Sequence, residues 1–276
     1  MSKAGSRNAA LLEWYQEHER PFPWCGSSDP WLILVSELMS QQTQISRVVP
    51  YWEAFTDAFP TPEACAVAPQ AEVLRLWSGL GYNSRAIRLQ SAAKWVIANG
   101  WPQTAIHLQQ LPGVGPYTAA AVACLAFGEQ VASPDTNHKR VLSRWAGAPL
   151  DPKALHTYAV DQLPHGRAAD WNQALMDLGA TVCTTRSPRC DVCPVSKWCA
   201  DPTVYEPPNP QPTFDGSTRQ ARGAVVRRLV GHGSQTVSQL VEATAIEPDR
   251  LREAITALAK DQVISVAGEA ISIPST

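Results

Sequence analysis

Four cysteines crowd into one segment, Cys183-x6-Cys190-x2-Cys193-x5-Cys199, whereas Cys25, Cys65 and Cys124 are scattered. Four thiolates on one short loop can hold a [4Fe–4S] cube or a single Zn²⁺. Zinc sites usually bring two C-x2-C pairs, and only one is present. The loop also carries Arg186, Arg189 and Lys197 against Asp191 alone, so it can offer positive charge to phosphates. A second candidate is Glu37, set among Leu32, Val35 and Leu38. A carboxylate so placed is partly desolvated, its pKa rises, and it can serve as an acid near neutral pH. Taken alone, Glu37 reads more simply as a surface helix residue. A third is Leu111-Pro-Gly113-Val-Gly115-Pro-Tyr117-Thr118. Gly113 and Gly115 permit a tight hairpin with backbone N–H groups presented at the next helix's N-terminus, an anion site suited to a DNA phosphate; the plain alternative is a Gly-Pro turn. Asp135-Thr-Asn137 reads first as a helix N-cap.

These groups need rigid elements to hold them. Helical periodicity dominates from Ala9 to about Ala200: Leu32, Val35, Leu38 and Met39 share one face, as do Ala86, Leu89, Ala93 and Val96 after the Gly79-Leu80-Gly81 break. Strand-like alternation is absent until late, so the body reads as all-α. Pro207, Pro208, Pro210 and Pro212 cannot sit in a helix, and 206–217 reads as a proline-rich linker. Beyond it, helices are expected over Arg219–Val230, after Thr236 and over Pro248–Lys260. Two short β-runs around Ala267-Gly268-Glu269 follow. Three helices and a hairpin resemble a small winged-helix domain at 218–276.

Composition bounds the possibilities. Of 276 residues, 45% are hydrophobic and 17% charged, enough to bury a core. Lys+Arg 23 against Asp+Glu 25 leaves a net charge of −2, so any nucleic-acid surface must be a local patch. The first residues lack an apolar signal segment, and Thr118–Phe127 is too short to span a bilayer. The expectation is an intracellular, cytoplasmic and nucleoid-associated protein, monomeric and without a membrane partner, whose cysteines are reduced or metal-bound.

Several motifs in order carry a resemblance: Pro23-Trp24, Asp29-Pro30, Ser36-Glu37, Gln41-Gln42-Thr43-Gln44, Gly79-Leu80-Gly81-Tyr82, the glycine hairpin, Asp135 with Asn137 and Lys139-Arg140-Val141, and Asn172 to Ala180. From about Trp14 to Cys199 the chain resembles MutY-type helix-hairpin-helix (HhH-GPD) DNA glycosylases, and the cysteine spacing matches their iron–sulfur loop. The resemblance implies a mainly α, bilobed glycosylase over 1–205. Its six-helix lobe would cover about 28–130 and its cluster lobe about 1–27 plus 131–205, with double-stranded DNA carrying a damaged or mismatched base as partner and the target base flipped out. It implies a [4Fe–4S] cluster on Cys183, Cys190, Cys193 and Cys199. Glu37 corresponds to the general acid, and Asp135 to the carboxylate that stabilises positive charge on the deoxyribose. Arg20, Trp24, Ser40, Gln41, Gln42, Thr43, Tyr82, Asn83, Gly113, Gly115, Asn137 and Gln173 are the DNA- or base-contacting positions. Arg47, Arg85, Lys139 and Arg140 are further candidates for phosphate or cleft contacts. Endonuclease III-type relatives place an imine-forming Lys where this chain has Tyr117, which cannot form that bond. The resemblance therefore implies a monofunctional, hydrolytic enzyme, with Tyr117 beside the sugar or simply packed.

Three departures bear on the substrate. Ser40 stands where MutY-type enzymes usually have Leu, Asn83 replaces the second Tyr of Gly-Tyr-Tyr, and 218–276 leaves no room for their Nudix-like domain that reads 8-oxoguanine. Ser40 and Tyr82-Asn83-Ser84 are instead similar to endonuclease III. With amide and hydroxyl groups at 40, 41, 42, 83 and 173, the expectation leans to an oxidised or deaminated pyrimidine such as 5-hydroxyuracil. Adenine opposite 8-oxoguanine is the alternative, with drift at the altered positions. A reading from another class is a non-catalytic iron–sulfur DNA-binding protein. The winged helix would then serve DNA positioning or a repair-protein partner.

Overall fold

The structure, a computed structural model, describes residues 3–204 and 213–275; the proline-rich linker expected at 206–217 lies outside the described residues as far as 212. In chain order the elements are α1 (Lys3–His18), α2 (Pro30–Ser40), α3 (Ile45–Ala58), α4 (Pro62–Val67), α5 (Gln70–Trp77), α6 (Ser84–Asn99) and α7 (Ala105–Leu108). They continue with α8 (Pro116–Phe127), α9 (Thr136–Ala146), α10 (Pro152–Gln162), α11 (Ala168–Thr181), α12 (Thr218–His232), α13 (Val237–Thr244) and α14 (Pro248–Lys260), and end in β1 (Ser265–Ala267) and β2 (Ala270–Ser272). The mainly α fold expected from periodicity is what the chain forms, and no helix among the described residues is long and apolar enough to cross a membrane. Two compact units divide it: Met1–Ile33 with Pro102–Gln110 and Val114–Asn209, and Leu34–Trp101 with Leu111–Gly113 and Pro210–Thr276.

In the first unit α1 packs on α11, and α11 on α9. Leu11, Val141, Leu142, Trp171, Leu175 and Leu178 form its dry centre. Fully burying side chains of this size contributes roughly 1.5–3 kcal/mol each. The Trp171 indole donates to Asn8 Oδ1 at 3.1 Å, so its one polar atom is satisfied inside the core. Gly179 on α11 lets α9 approach: a Cβ there would lie 2.7 Å from Asn137 Cβ. Helix starts follow capping chemistry. Asp135 caps α9 and Asp151 caps α10, while Gly115 and Pro116 open α8.

In the second unit Leu34, Val35, Leu38 and Met39 of α2 are buried, as are Phe55, Leu74 and Trp77, the last two aromatics meeting edge to face at 6.0 Å. The C-terminal segment belongs to this unit. α12 packs against α14 and α5, and the buried Gln70 of α5 donates from Nε2 to the Gln262 and Val263 carbonyls, both at 3.1 Å. Thr236 and Gln239 form a capping box at the start of α13. β1 and β2 pair antiparallel in the register Ser265↔Ser272, so the expected three helices and hairpin are present.

Candidate active site and cysteine loop

Asp135 closes the N-terminus of α9 in the first unit. Its Oδ1 accepts from the His138 backbone N–H at 2.8 Å and lies 2.7 Å from His138 Nδ1; its Oδ2 accepts from Asn137 Nδ2 at 3.0 Å. Burial works against the charged form, yet these donors outweigh it and hold the carboxyl below its ordinary range. The cap expected from Asp-Thr-Asn is real, and two residues later Asn137 opens a polar chain. Asn137 Oδ1 accepts from Arg140 Nη2 at 2.7 Å, and Arg140 donates on to the carbonyls of Gly179 (2.6 Å) and Cys183 (2.8 Å). Arg140, read from sequence as a possible phosphate contact, is thus turned inward to tie α9 to the start of the cysteine loop. Lys139 beside it is half-buried.

Cys183, Cys190, Cys193 and Cys199 line one cavity of ≈ 80 Å³ with Arg144 and Trp145, and all four are free thiols. Among the described residues no three metal-ligating side chains are drawn together tightly enough for a single ion. Burial, reinforced by the neighbouring thiols against a backbone hydrogen bond at Val195, pushes Cys193 up to about 11. Arg144, almost fully buried, organises the loop. It donates to Cys183 Sγ at 3.1 Å and to the carbonyls of Cys183, Thr184, Thr185 and Val204 at 2.9–3.3 Å. Its own carbonyl accepts from Ala200 and Asp201.

Other predicted residues of this unit are held by neighbours. Arg20 is paired with Asp177 at 2.7 Å, so its charge is already matched, and Trp24 stacks on Phe22. Tyr117 lies in the first turn of α8, half-buried, its hydroxyl 3.6 Å from Met176 Sδ. Gln173 is half-exposed on α11, and Gly115 is exposed at the start of α8.

In the second unit Glu37 sits on α2 at 9% exposure between Ser36 and Leu38, both buried deeper. It is therefore a buried carboxylate, and its reading as a surface residue is set aside. Ser40 and Gln41 are half-buried, and Gln42 is exposed with a left-handed φ of 56°. The loop that follows is held by Arg85, also read from sequence as a phosphate or cleft contact. Arg85 is 5% exposed instead, and donates to the carbonyls of Leu38, Met39 and Gln41 and to Thr43 Oγ1. It also reaches the Leu80 and Gly81 carbonyls, so one guanidinium joins the Gln41–Thr43 and Gly79–Tyr82 loops. Burial lowers its pKa to about 10. Arg47 donates to the Gly79 carbonyl. Tyr82, half-exposed with φ 48°, receives a hydrogen bond from Arg219 of α12 at 3.4 Å, while Asn83 beside it is buried. At Gly113, φ 81° and an Arg88 Cβ that would lie 2.8 Å from any added Cβ make glycine necessary.

Residues 35–160 match the HhH-GPD superfamily of base excision DNA repair proteins. An adenine DNA glycosylase of Mycobacterium tuberculosis is 44% identical over 233 residues, 78% of this chain and 76% of that protein. The chain belongs to the HhH-GPD superfamily. A thymine/uracil-DNA glycosylase of Methanothermobacter thermautotrophicus is 33% identical over 70% of this chain and 91% of that protein. A solved thermostable thymine-DNA glycosylase superposes with a TM-score of 0.68 at 33% identity, covering 72% of this chain and 95% of that one. The MutY-type resemblance and the HhH-GPD fold read from the motifs therefore stand. Sequence reasoning overlooked two residues of this HhH-GPD chain. Arg144 had no motif to flag it, only an arginine on the apolar face of α9. His138 had a usable signal, a titratable group three residues beyond Asp135 and hence on the same helix face.

Proposed function

We propose that the chain is a monofunctional DNA glycosylase of base excision repair that hydrolyses the N-glycosidic bond of adenine opposite 8-oxoguanine. The 44% identity to an adenine DNA glycosylase over three quarters of both chains carries the choice of base, and it supports adenine better than the pyrimidine expected from Ser40 and Asn83. Activity is assigned to 1–205, with 218–276 an accessory domain. Glu37, buried on α2, serves as general acid toward the departing base. Asp135, held ionised, stabilises the positive charge that develops on the sugar as the bond breaks. Tyr117 stands where an amine would be needed for an imine, so water, not the protein, adds to the sugar and the strand stays intact. Gly113 and Gly115 place backbone N–H groups for a phosphate, and Gln41, Gln42, Thr43, Tyr82, Asn137 and Gln173 are the further DNA-side candidates. A pyrimidine reading keeps one specific support, the 33% identity to a thymine/uracil-DNA glycosylase of which 91% is covered. Competition decides between them. With an adenine:8-oxoguanine duplex and a 5-hydroxyuracil:guanine duplex in one tube, adenine is expected to be released faster, read as alkali-labile sites on each labelled strand. Faster loss of 5-hydroxyuracil would reverse the assignment, and no product from either, nor from uracil or thymine opposite guanine, would favour a non-catalytic DNA-binding protein.

The four cysteines are assigned to a [4Fe–4S] cluster. All four thiols line one cavity, and the Cys183-x6-Cys190-x2-Cys193-x5-Cys199 spacing, with a single C-x2-C pair, supports a four-iron cube over one Zn²⁺. Such a cluster would be held by these four thiols and would brace the loop that Arg144 organises. Cys190→Ser or Cys199→Ser is expected to lose most of the bound iron and the broad visible absorbance. A colourless wild-type protein with one zinc per chain would refute the assignment.

A further inference from the structure

His138 is the least economical residue in the neighbourhood of Asp135. Its side chain is fully buried on α9, 6.2 Å from the Trp171 ring, and its Nε2 has no hydrogen-bond partner among the described residues. A buried polar atom left unpaired is a cost that an apolar residue of similar size would avoid. Capping does not require it, because the His138 backbone N–H already satisfies that role at 2.8 Å from Asp135 Oδ1. What the imidazole adds is a second donor to the same oxygen, Nδ1 at 2.7 Å. Oδ1 then holds two hydrogen bonds while Oδ2 holds one, from Asn137, and the spare lone pair of the carboxylate is on Oδ2.

With the Asp135 carboxylate accepting, the ring carries a proton on Nδ1. A doubly protonated ring would bury an N–H with no acceptor, and its positive charge would cancel the anion beside it. A neutral ring with the proton on Nδ1 leaves Nε2 as a bare lone pair and Asp135 with its full charge. We propose that His138 is a positioning residue for Asp135, a neutral Nδ1–H donor that locks Oδ1 against α9 so that Oδ2 is presented, ionised, to the cationic sugar. The proposal rests on the role given to Asp135 above.

Two measurements test it. In protein labelled with ¹⁵N-histidine and free of DNA, the His138 ring is expected as the neutral Nδ1–H tautomer at pH 7.5. A doubly protonated ring, or the Nε2–H tautomer, would overturn the proposal whatever the substrate. The second uses single-turnover base release. His138→Leu removes the donor and should slow release about 10–100-fold, the size of effect that follows loss of a hydrogen-bond partner orienting a metal-bound histidine or carboxylate, with thermal stability and affinity for an uncleavable duplex retained. In Asn the Nδ2 is as many bonds from the backbone as Nδ1 in His, so His138→Asn should recover most of the rate. Equal rates in all three proteins, or equal loss in both variants, would reduce His138 to packing. Asp135→Asn is run beside them. If it keeps the wild-type rate, the reading of Asp135 fails; if it is inactive while His138→Leu is not, only the role of His138 fails.

Discussion

Glu37→Gln should release base about 10²–10⁴-fold more slowly than the wild-type protein in a single turnover, the range expected for removing a general acid. The substitution keeps the shape and the hydrogen-bonding capacity of the side chain, and only the transferable proton is lost. That matters because Glu37 is 9% exposed and sits among buried neighbours, where a smaller or apolar replacement would disturb packing as well as chemistry. Thermal stability should therefore hold, and affinity for an uncleavable duplex should fall by less than threefold. A rate within threefold of wild type would remove Glu37 from the reaction and leave it a buried polar residue of α2.

The largest structural effect is expected from Arg144→Leu. One guanidinium serves four carbonyls and a cysteine sulfur across 183–204, and the residue's own carbonyl receives two further N–H groups from the loop. Leucine fills part of the volume and takes this donor from the Cys183 sulfur and the Thr184, Thr185 and Val204 carbonyls, at about 1–3 kcal/mol for each that water cannot reach, while the Cys183 carbonyl keeps Arg140. A loss of at least about 3 kcal/mol is expected, read as a lowered midpoint in chemical denaturation, together with reduced iron per chain. Arg144→Lys should fall short of rescue, because one ammonium offers three donors where the guanidinium serves five acceptors. Unchanged stability in Arg144→Leu would mean that the loop holds itself through its cysteines alone.

The helices, the caps at Asp135 and Thr236 and the final hairpin were legible because each is written locally, in apolar spacing, a capping residue or a turn glycine. The cysteine loop was legible for the same reason. What the sequence did not reveal is the direction of long side chains. Arg85 and Arg140 look like phosphate contacts in a string of letters, but their partners are carbonyls brought near by folding, 44 residues away between Arg85 and Gln41 and 43 between Arg140 and Cys183. Asn83 was read as a base-contacting group, and its burial beside a half-exposed Tyr82 follows from the tight turn at Gly79–Tyr82, which spacing does not disclose. The substrate lean failed to gain support for a related reason. It weighed two substituted positions heavily, whereas identity across three quarters of the chain favours adenine.

The pairing of α1 with α11 has a consequence for how the protein is made. Trp171 reaches Asn8 across 163 positions of chain. On a ribosome adding roughly 5–20 residues per second, that interval lasts roughly 8–33 s, during which the apolar face of α1 lacks the helix that covers most of it. Leu11, Leu12 and Tyr15 are then a temptation to other chains or a ligand for a chaperone. The cover of α1 is completed when α11 emerges, and Cys183 follows Thr181 by two residues. Docking of the first helix and arrival of the four-cysteine segment are thus nearly simultaneous, so a nascent chain stalled before α11 would have the apolar face of α1 incompletely covered and the cysteine loop still unmade.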